Sequence, residues 1–546
     1  MFSLLILNLT CPYVAGAQDK LQDFDYWAAL CSSLGKSKKF KEAVVACDQA
    51  ITINPNEPIA WAERGHSLVA LAMYTEAVVS YDRFIRLDPI NSEILTKRCG
   101  ALNEIERYDD ALTSCETALR LDKNWGETSP AEAWYNQAIT LKRSGKPAES
   151  LESLGWAIQT KPNYSIALAD RCELLSSLDR DPEALKDCEK AIKVNANWGN
   201  GSLANAWANR GRIQRKLEHF DEALFAYDKA LAIKPLDSVA WTEQGMVLWK
   251  LGRYGEALAS QEWALKANAK YSLALANKCA ALNQLGQFKE ALAACEAAIQ
   301  EGDQQWNELG AGLAWDQRGS ALSGLGRYEE ALASANRAIA LKPNYSEFWS
   351  NRGGTLWYLG RFSEALSSTN QAIALNQNSS SAWFNHGRIL ASQGQSNEAL
   401  MAYDKAIAGD ANIGNKLTLA DIWVNKSALL WRLRRYQESL TASNQAIAIN
   451  PKSGAAWFNR GLALMSLDRF QEAVSAYNYA LNYDVKNADY WTGRGLALMA
   501  IGSNPEALAS FEQALKLNPT QSQALVNKEI VVQRLKPTPP PTPPKN

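Results

Sequence analysis

Nine cysteines, three histidines and a recurrent row of carboxylates are the side chains able to do chemistry in this 546-residue chain. Eight cysteines fall into four pairs: Cys31 with Cys47, Cys99 with Cys115, Cys172 with Cys188, and Cys279 with Cys295. The members of each pair are sixteen residues apart. Two thiols per pair, with no third or fourth ligand nearby, do not make a closed tetrahedral metal site. His66, His219 and His386 stand in unrelated contexts without a ligating neighbour at helical spacing. No metal and no cofactor is therefore expected. Glu42, Glu76, Glu222, Glu330 and Glu506 belong to a regular row of carboxylates, which suggests acid–base work. No Ser-His-Asp or Cys-His arrangement accompanies them, and Asn351-Arg352-Gly353-Gly354 lies inside a helical pattern rather than after a strand, so it is not a phosphate loop. No catalytic residue is assigned, and the chain reads as a non-enzyme.

The elements that position these residues come from an internal repeat. A 34-residue register beginning at Phe24 restarts at Pro58, Ser92, Ala131, Ser165, Ala204, Ser238, Ser272, Gly312, Ser346, Ser380, Ala420, Gly454 and Ala488, giving fourteen repeats over 24–521. The fourth place holds Trp in eleven of them, with Leu95, Leu168 and Leu275 in the rest. Sixteen places later comes Ala, or Ser150 and Ser439, and seven places after that Ala again, with Phe84 the exception. The apolar spacing within a repeat is helical: Trp207 and Gly211 share one face, and Ala223, Tyr227 and Ala230 share a stripe of a second helix. Leu-Gly-Arg-Tyr at 251–254 marks the hinge between the two helices. Each carboxylate of the row then lies in the first turn of a second helix, where the macrodipole favours an anion.

The pattern of Trp, Leu-Gly, Tyr, Ala, Phe, Ala and Pro resembles the tetratricopeptide repeat (TPR) and covers roughly nine-tenths of the chain. Arg replaces the Leu before Gly at Arg64, Arg210, Arg318, Arg352, Arg460 and Arg494. The resemblance implies an all-α, right-handed solenoid of about fourteen helix–turn–helix repeats, whose first helices line a groove for partner peptides. That face carries Asn136, Asn209, Asn277, Asn351, Asn385, Asn425 and Asn459 at one register position, with Tyr135, Phe384 and Phe458 beside them. Trp249, Trp357, Tyr358 and Trp431 are further rings on these helices. An amide both donates and accepts hydrogen bonds, so the Asn row suits an extended backbone; it equally suits bracing between helices. The set of Lys, Asn, Lys and Arg that makes a chaperone-type carboxylate clamp cannot be assembled here.

Extra residues precede the repeats at Ala131, Ala204, Gly312 and Ala420, and each insertion has an apolar anchor: Trp125, Trp198, Trp306 or Ile413. These read as longer loops pinned by one side chain. A helix over about 522–536 keeps the first-helix register, with Leu525 at the Trp place, and reads as a cap in which Ala524, Leu525, Val531 and Val532 pack back. The Pro-rich tail 537–546 is expected to be extended and disordered. At the other end, Met1–Leu9 is apolar and Ala15-Gly16-Ala17 has the form of a cleavage signal, so 1–17 reads as an export signal peptide. It is too short for a membrane span. Cys11 fits a lipoprotein signal poorly.

The cysteine pairs fit this picture. The first Cys of each pair replaces the small residue of a first helix, and the second replaces the residue, often Tyr, that faces it from the second helix. No repeat has one without the other. An intrahairpin disulfide is the expectation, with neighbouring reduced thiols the alternative. Disulfides belong to oxidising compartments, which agrees with export to a periplasmic or extracellular location; a cytoplasmic location goes with the reduced alternative. The 57 Lys+Arg against 58 Asp+Glu leave a net charge of −1, without the basic excess of a nucleic-acid binder. The reading is a non-catalytic scaffold that binds protein or peptide along its groove. The alternative is an exported, envelope-associated factor whose groove aromatics stack on a glycan. The sequence sets neither the partner nor the oligomeric state.

Overall fold

The computed structural model describes residues 23–199, 201–307, 309–411 and 418–536; the expected signal segment, Ile413 and the Pro-rich tail lie outside them. Among the described residues there are 29 helices and no strand. The chain divides into two compact units, Met1–Val247 and Leu248–Asn546. The first contains six helix hairpins, from Phe24–Lys36 with Phe40–Ile53 to Leu203–Lys216 with Phe220–Ile233. The second contains seven, from Ser272–Leu285 with Phe288–Gln300 to Ala488–Ala500 with Asn504–Leu517, followed by Ser522–Leu535. Ser238–Lys250 and Tyr254–Ala267 complete the series. Among the described residues, hairpins pack on their neighbours in sequence, so each unit is an all-α solenoid.

Each first helix stops at a residue in the left-handed region. Gly145, Gly252, Gly286, Gly326, Gly360, Gly394 and Gly502 hold this place in seven repeats. Lys38, Ala72, Glu106, Asp179, Glu218, Arg434 and Asp468 hold it in the other seven, at φ of 56–61°. A side chain there costs on the order of 1–2 kcal/mol, so packing of the hairpin, not glycine alone, enforces the turn.

That packing centres on one crossing. A Cβ built on Gly65, Gly211, Gly387, Gly461 or Gly495 would lie 2.4–2.9 Å from the ring of Tyr81, Tyr227, Tyr403, Tyr477 or Phe511, always the residue sixteen places on. The four cysteine pairs occupy the same two places. Cα separations are 5.1 Å for Cys31 and Cys47, 5.5 Å for Cys99 and Cys115, 5.4 Å for Cys172 and Cys188, and 5.4 Å for Cys279 and Cys295. These separations suit a disulfide. Cys47, Cys115, Cys188 and Cys295, the second-helix members, are as fully buried as Cys31, Cys99, Cys172 and Cys279. The small residue of the second helix is buried throughout, and where Ser replaces Ala its hydroxyl finds a carbonyl: Ser150 Oγ donates to Ala138 O at 2.8 Å and Ser439 Oγ to Ser427 O at 2.9 Å.

Between repeats, the indole N–H is the tie. Trp61, Trp349 and Trp457 donate to the carbonyls of Pro55, Pro343 and Pro451 at 2.8–2.9 Å. Trp383 and Trp491 make the same bond, six residues back, to Gln377 and Val485. In the insertions Trp125 and Trp198 are half-buried and donate to Asp122 and Asn195, while Trp306 packs beside Ala276, Ala298 and Ala314. The last helix differs from expectation: Ala524 and Val531 are buried, but Leu525 and Val532 are exposed. No further repeat covers them among the described residues, so only the stripe facing Asn504–Leu517 is buried.

Gly461→Ala would push a methyl into the Tyr477 ring, which Gly493 of the next repeat also abuts. A loss of about 1–3 kcal/mol is expected for overpacking, as for Ala223→Leu, with helicity retained. Urea denaturation followed by circular dichroism measures both; an unchanged midpoint contradicts the assigned crossing.

Candidate binding groove

In both units the first helices of successive repeats touch one another, while second helices of successive repeats do not pack to a comparable degree. The first helices therefore form the tighter face, and the Asn row lies on it. Most of its amides are committed to bracing. Asn136, Asn385 and Asn459 donate to the backbone carbonyls of Thr96, Ser350 and Val424 in the preceding first helix, at 3.0–3.2 Å. Asn351 reaches the same level but bonds a side chain, the Asp316 carboxylate, at 2.9 and 3.2 Å. Asn425 turns back on Asp421 O of its own helix, just after the insertion. Asn209 accepts from Arg212 at 3.2 Å, and Asn277 Nδ2 is buried without a partner among the described residues.

The rings are likewise occupied. Phe384 is buried against Tyr403 and belongs to the core rather than the groove wall. Tyr135 donates its hydroxyl to Asp170 at 2.6 Å and packs on Tyr164. Phe458 lies between Tyr477 and Tyr490. Trp431 and Trp357 donate to Ser466 and Ser392 of the following repeats. Tyr358 keeps an exposed edge while stacking on Tyr328 at 4.8 Å.

The arrangement with chemical capacity lies among the first helices Ser272–Leu285, Gly312–Gly324, Ser346–Tyr358 and Ser380–Ser392 of the second unit. There a pocket of about 260 Å³ opens between Asn283, Asp316, Ser320, Gly354, Asn385, Tyr358 and Arg388. Small side chains open it: Ser320 and Gly354 line it, and with Ala280 in the repeat before they stand where Arg388 stands in the next repeat. Asp316 takes the place held by Ala276 and Ser350 in the flanking repeats. It is 5% exposed and has no cationic partner among the described residues, only the Asn351 and Gln317 amides. Burial pushes its carboxyl up to about 7, against the relief from Asn351, and the nearby Glu347 adds to the rise. Asn283 is 3% exposed; its Nδ2 donates to Gln317 O at 2.9 Å, but its Oδ1 receives no donor among the described residues. At the far end the Arg388 guanidinium lies 3.8 Å over Trp357 and within 5.6 Å of Tyr358 and Phe384, and it forms no ion pair among the described residues. The Asn row drew attention to Asn351 and Asn385 on this wall. It missed Asp316, Asn283 and Arg388, although the small–small–small–Arg series is visible in the sequence once the register is set.

The other chemistry-bearing side chains are structural. In seven hinges an Arg pairs with the carboxylate three residues on, as in Arg327–Glu330 and Arg361–Glu364. The guanidinium hydrogen bond holds glutamates such as Glu330 and Glu364 below the usual carboxylate range. Burial lowers the half-buried His66 to about 3, which keeps it neutral. His219 and His386 bond Gln214 and Thr369 through Nδ1. Among the described residues no three His, Cys, Asp or Glu cluster as metal ligands, and no helix is long and apolar enough to cross a membrane.

Stacked hairpins with a small-on-large crossing and a face of first helices define a helical repeat scaffold. Models of the tetratricopeptide repeat match residues 204–236, 312–345, 242–305, 353–414, 426–490 and 465–522, and the chain belongs to that family. Similar solved structures include the APC/C hetero-tetramer Cut9-Hcn1, at 14% identity and TM-score 0.47 over 95% of this chain and 98% of that one. Another is Naa15/Naa10 bound to HypK-THB, at 14% identity and TM-score 0.34 over 95% and 92%. A third is YrrB, described as a TPR protein with an unusual peptide-binding site, at 19% identity and TM-score 0.30 over 36% and 97%.

Asp316 is expected to make the second unit pH-sensitive. Its folded pKa lies above the ordinary 3.8, so the folded state favours the protonated acid. Stability from this group is present below about pH 4 and is lost as pH rises towards 7. Asp316→Asn mimics the protonated form. Its unfolding free energy is expected to match the parent's near pH 4 and to exceed it at pH 8, the gap growing by up to about 1.4 kcal/mol per pH unit between about pH 4 and pH 7 and then levelling off. A constant difference between the two proteins over pH 4–8 contradicts the assignment.

Proposed function

We propose that this protein is a non-catalytic scaffold that binds an extended segment of a partner protein along the face of its first helices. The observation that carries the reading is the pocket of the second unit. Its first helices bring together the Asn283 carbonyl oxygen without a donor, the buried Asp316 carboxyl without a cation and the Arg388 guanidinium without an ion pair among the described residues, beside the small Ser320 and Gly354. A photo-crosslinking residue at Ser320 is expected to capture protein in the native host, and Gly354→Trp, which fills the pocket, is expected to abolish capture while helicity is kept. Adducts to glycan alone, or capture unaffected by Gly354→Trp, overturn the reading. The glycan alternative draws less support, because Phe384, Tyr135 and Phe458 have their ring faces against neighbouring side chains.

We further propose that the protein works in an oxidising compartment after removal of residues 1–17. The support is the approach of all four cysteine pairs, which sit fully buried at the helix crossing. A disulfide closing about 15 residues contributes roughly 3 kcal/mol in the chain-entropy model. Non-reducing peptide mapping of the native protein is expected to recover four intrahairpin linkages, Cys31 to Cys47, Cys99 to Cys115, Cys172 to Cys188 and Cys279 to Cys295. Reduction should lower the unfolding midpoint of the parent and leave that of an all-Ser variant unchanged. Eight freely alkylated thiols would remove both the linkages and the case for export.

A further inference from the structure

Arg388 and the pair formed by Asp316 and Asn283 are the least satisfied polar groups lining this pocket, and they stand at its opposite ends. Arg388 holds its guanidinium carbon 3.8 Å over the Trp357 ring, its N–H groups unclaimed by any carboxylate among the described residues. Stacking of this kind fixes the plane of the fork while leaving its edge to donate, the geometry that suits a carboxylate. At the other end stand a buried carboxyl without a cation and a buried carbonyl oxygen without a donor. The empty acceptor has a structural origin. Asn103, at the same register position, has its Oδ1 filled by the Thr140 hydroxyl at 2.7 Å; the residue corresponding to Thr140 in the repeat after Asn283 is Ala321. Both groups line the pocket, within reach of a bound segment.

We propose that this pocket reads charge along an extended peptide, taking an acidic side chain on Arg388 and a basic side chain or backbone N–H donors on Asp316 and Asn283. The assignment rests on the scaffold reading above and gives it a specificity. Asp316 and Arg388 are carried by first helices two apart, but the Arg388 guanidinium reaches back over Trp357 and Tyr358 of the helix between them, so the two charges are separated by more than one and less than two helix spacings, about 10–16 Å. A strand advances about 3.3 Å per residue, so the acidic and basic positions are about three to five residues apart. The charged groups around Asp316 reinforce the sign of that end. Glu347, on the neighbouring first helix, is itself half-buried and pushed up by burial and by Asp410, with Lys250 opposing.

The test is selection of random twelve-residue peptides, displayed on phage, against the full-length protein at pH 7.5, with Arg388→Gln and Asp316→Asn proteins selected in parallel. Enriched peptides are expected to carry one acidic and one basic residue about three to five positions apart. Resynthesised, they should bind the parent about tenfold more tightly than either variant, as for loss of one charge-assisted hydrogen bond. Arg388→Gln should relax only the acidic position and Asp316→Asn only the basic one. Should Arg388→Gln lose helicity, Arg388→Lys replaces it and is expected to weaken binding through loss of the fixed fork. Peptides enriched without the charge pattern, and blocked by Gly354→Trp, would overturn this inference while leaving the scaffold reading in place. No enrichment over a helical control protein would overturn both.

Discussion

The hairpin depends on one steric constraint: a first helix must present almost no side chain where a second helix presents a ring. Gly against Tyr or Phe is the commonest solution, and the ring then fills the space that a Cβ would need. Ala138 against Leu154 and Ser427 against Ser443 are smaller versions of the same contact. Cys against Cys is a third, in which the ring's volume is replaced by two sulfurs and the contact becomes covalent when oxidised. Three of the four Cys pairs lie in the first unit. They alternate there with Gly65 on Tyr81, Ala138 on Leu154 and Gly211 on Tyr227, and the fourth pair opens the second unit. The remaining repeats of the second unit, which include the pocket wall from Gly312 onward, hold this crossing without a cysteine pair.

Stacking the hairpins adds a polar constraint that competes with function. A first helix is held to the preceding repeat at its start by the indole N–H and at its middle by the Asn amide. Each of these bonds satisfies a backbone carbonyl, worth about 1 kcal/mol net in a typical case. Repetition of the bond, rather than its individual strength, gives the face its regularity. An amide spent on bracing has less to offer a ligand. The groove thus becomes available where the brace is diverted from backbone to side chain, as when Asn351 bonds Asp316 instead of a carbonyl.

Fold and site were unequally legible in the sequence. Trp at the fourth place, the small residue sixteen later and the hinge before the second helix define the hairpins, because each reports a steric need that recurs fourteen times. The Cys spacing was legible for the same reason: Cys47, Cys115, Cys188 and Cys295 stand where other repeats put a ring. The Asn row misled in part. A periodic residue in a solenoid serves what every repeat needs, namely bracing, whereas a binding site is a departure from the period. Phe384 failed by one step of side-chain direction, since its position on the first helix points into the hairpin, towards Tyr403. Asp316 and Arg388 were the aperiodic residues, and only the structure showed that neither has a counter-charge among the described residues.

The pocket is formed by subtraction. Ala280, Ser320 and Gly354 remove bulk, Ala321 removes a hydroxyl donor, and Asp316 puts a carboxyl where its neighbours have Ala and Ser. Each change weakens local packing or leaves a polar group short of partners, and a buried carboxyl raised to about 7 disfavours the folded state at neutral pH. A solenoid tolerates such a defect, since each hairpin is stabilised by its own crossing and by two neighbours instead of by one shared core. The first helices Gly312–Gly324 and Ser346–Tyr358 remain anchored by Ala331 and Ala365 beneath Gly319 and Gly353. Arg388 is supported on an indole, so its charge needs no carboxylate to hold its orientation. Rigidity of the frame and incompleteness of the lining therefore occur in the same four helices. Under the scaffold reading proposed above, a segment of another chain supplies the missing partners without the frame having to move.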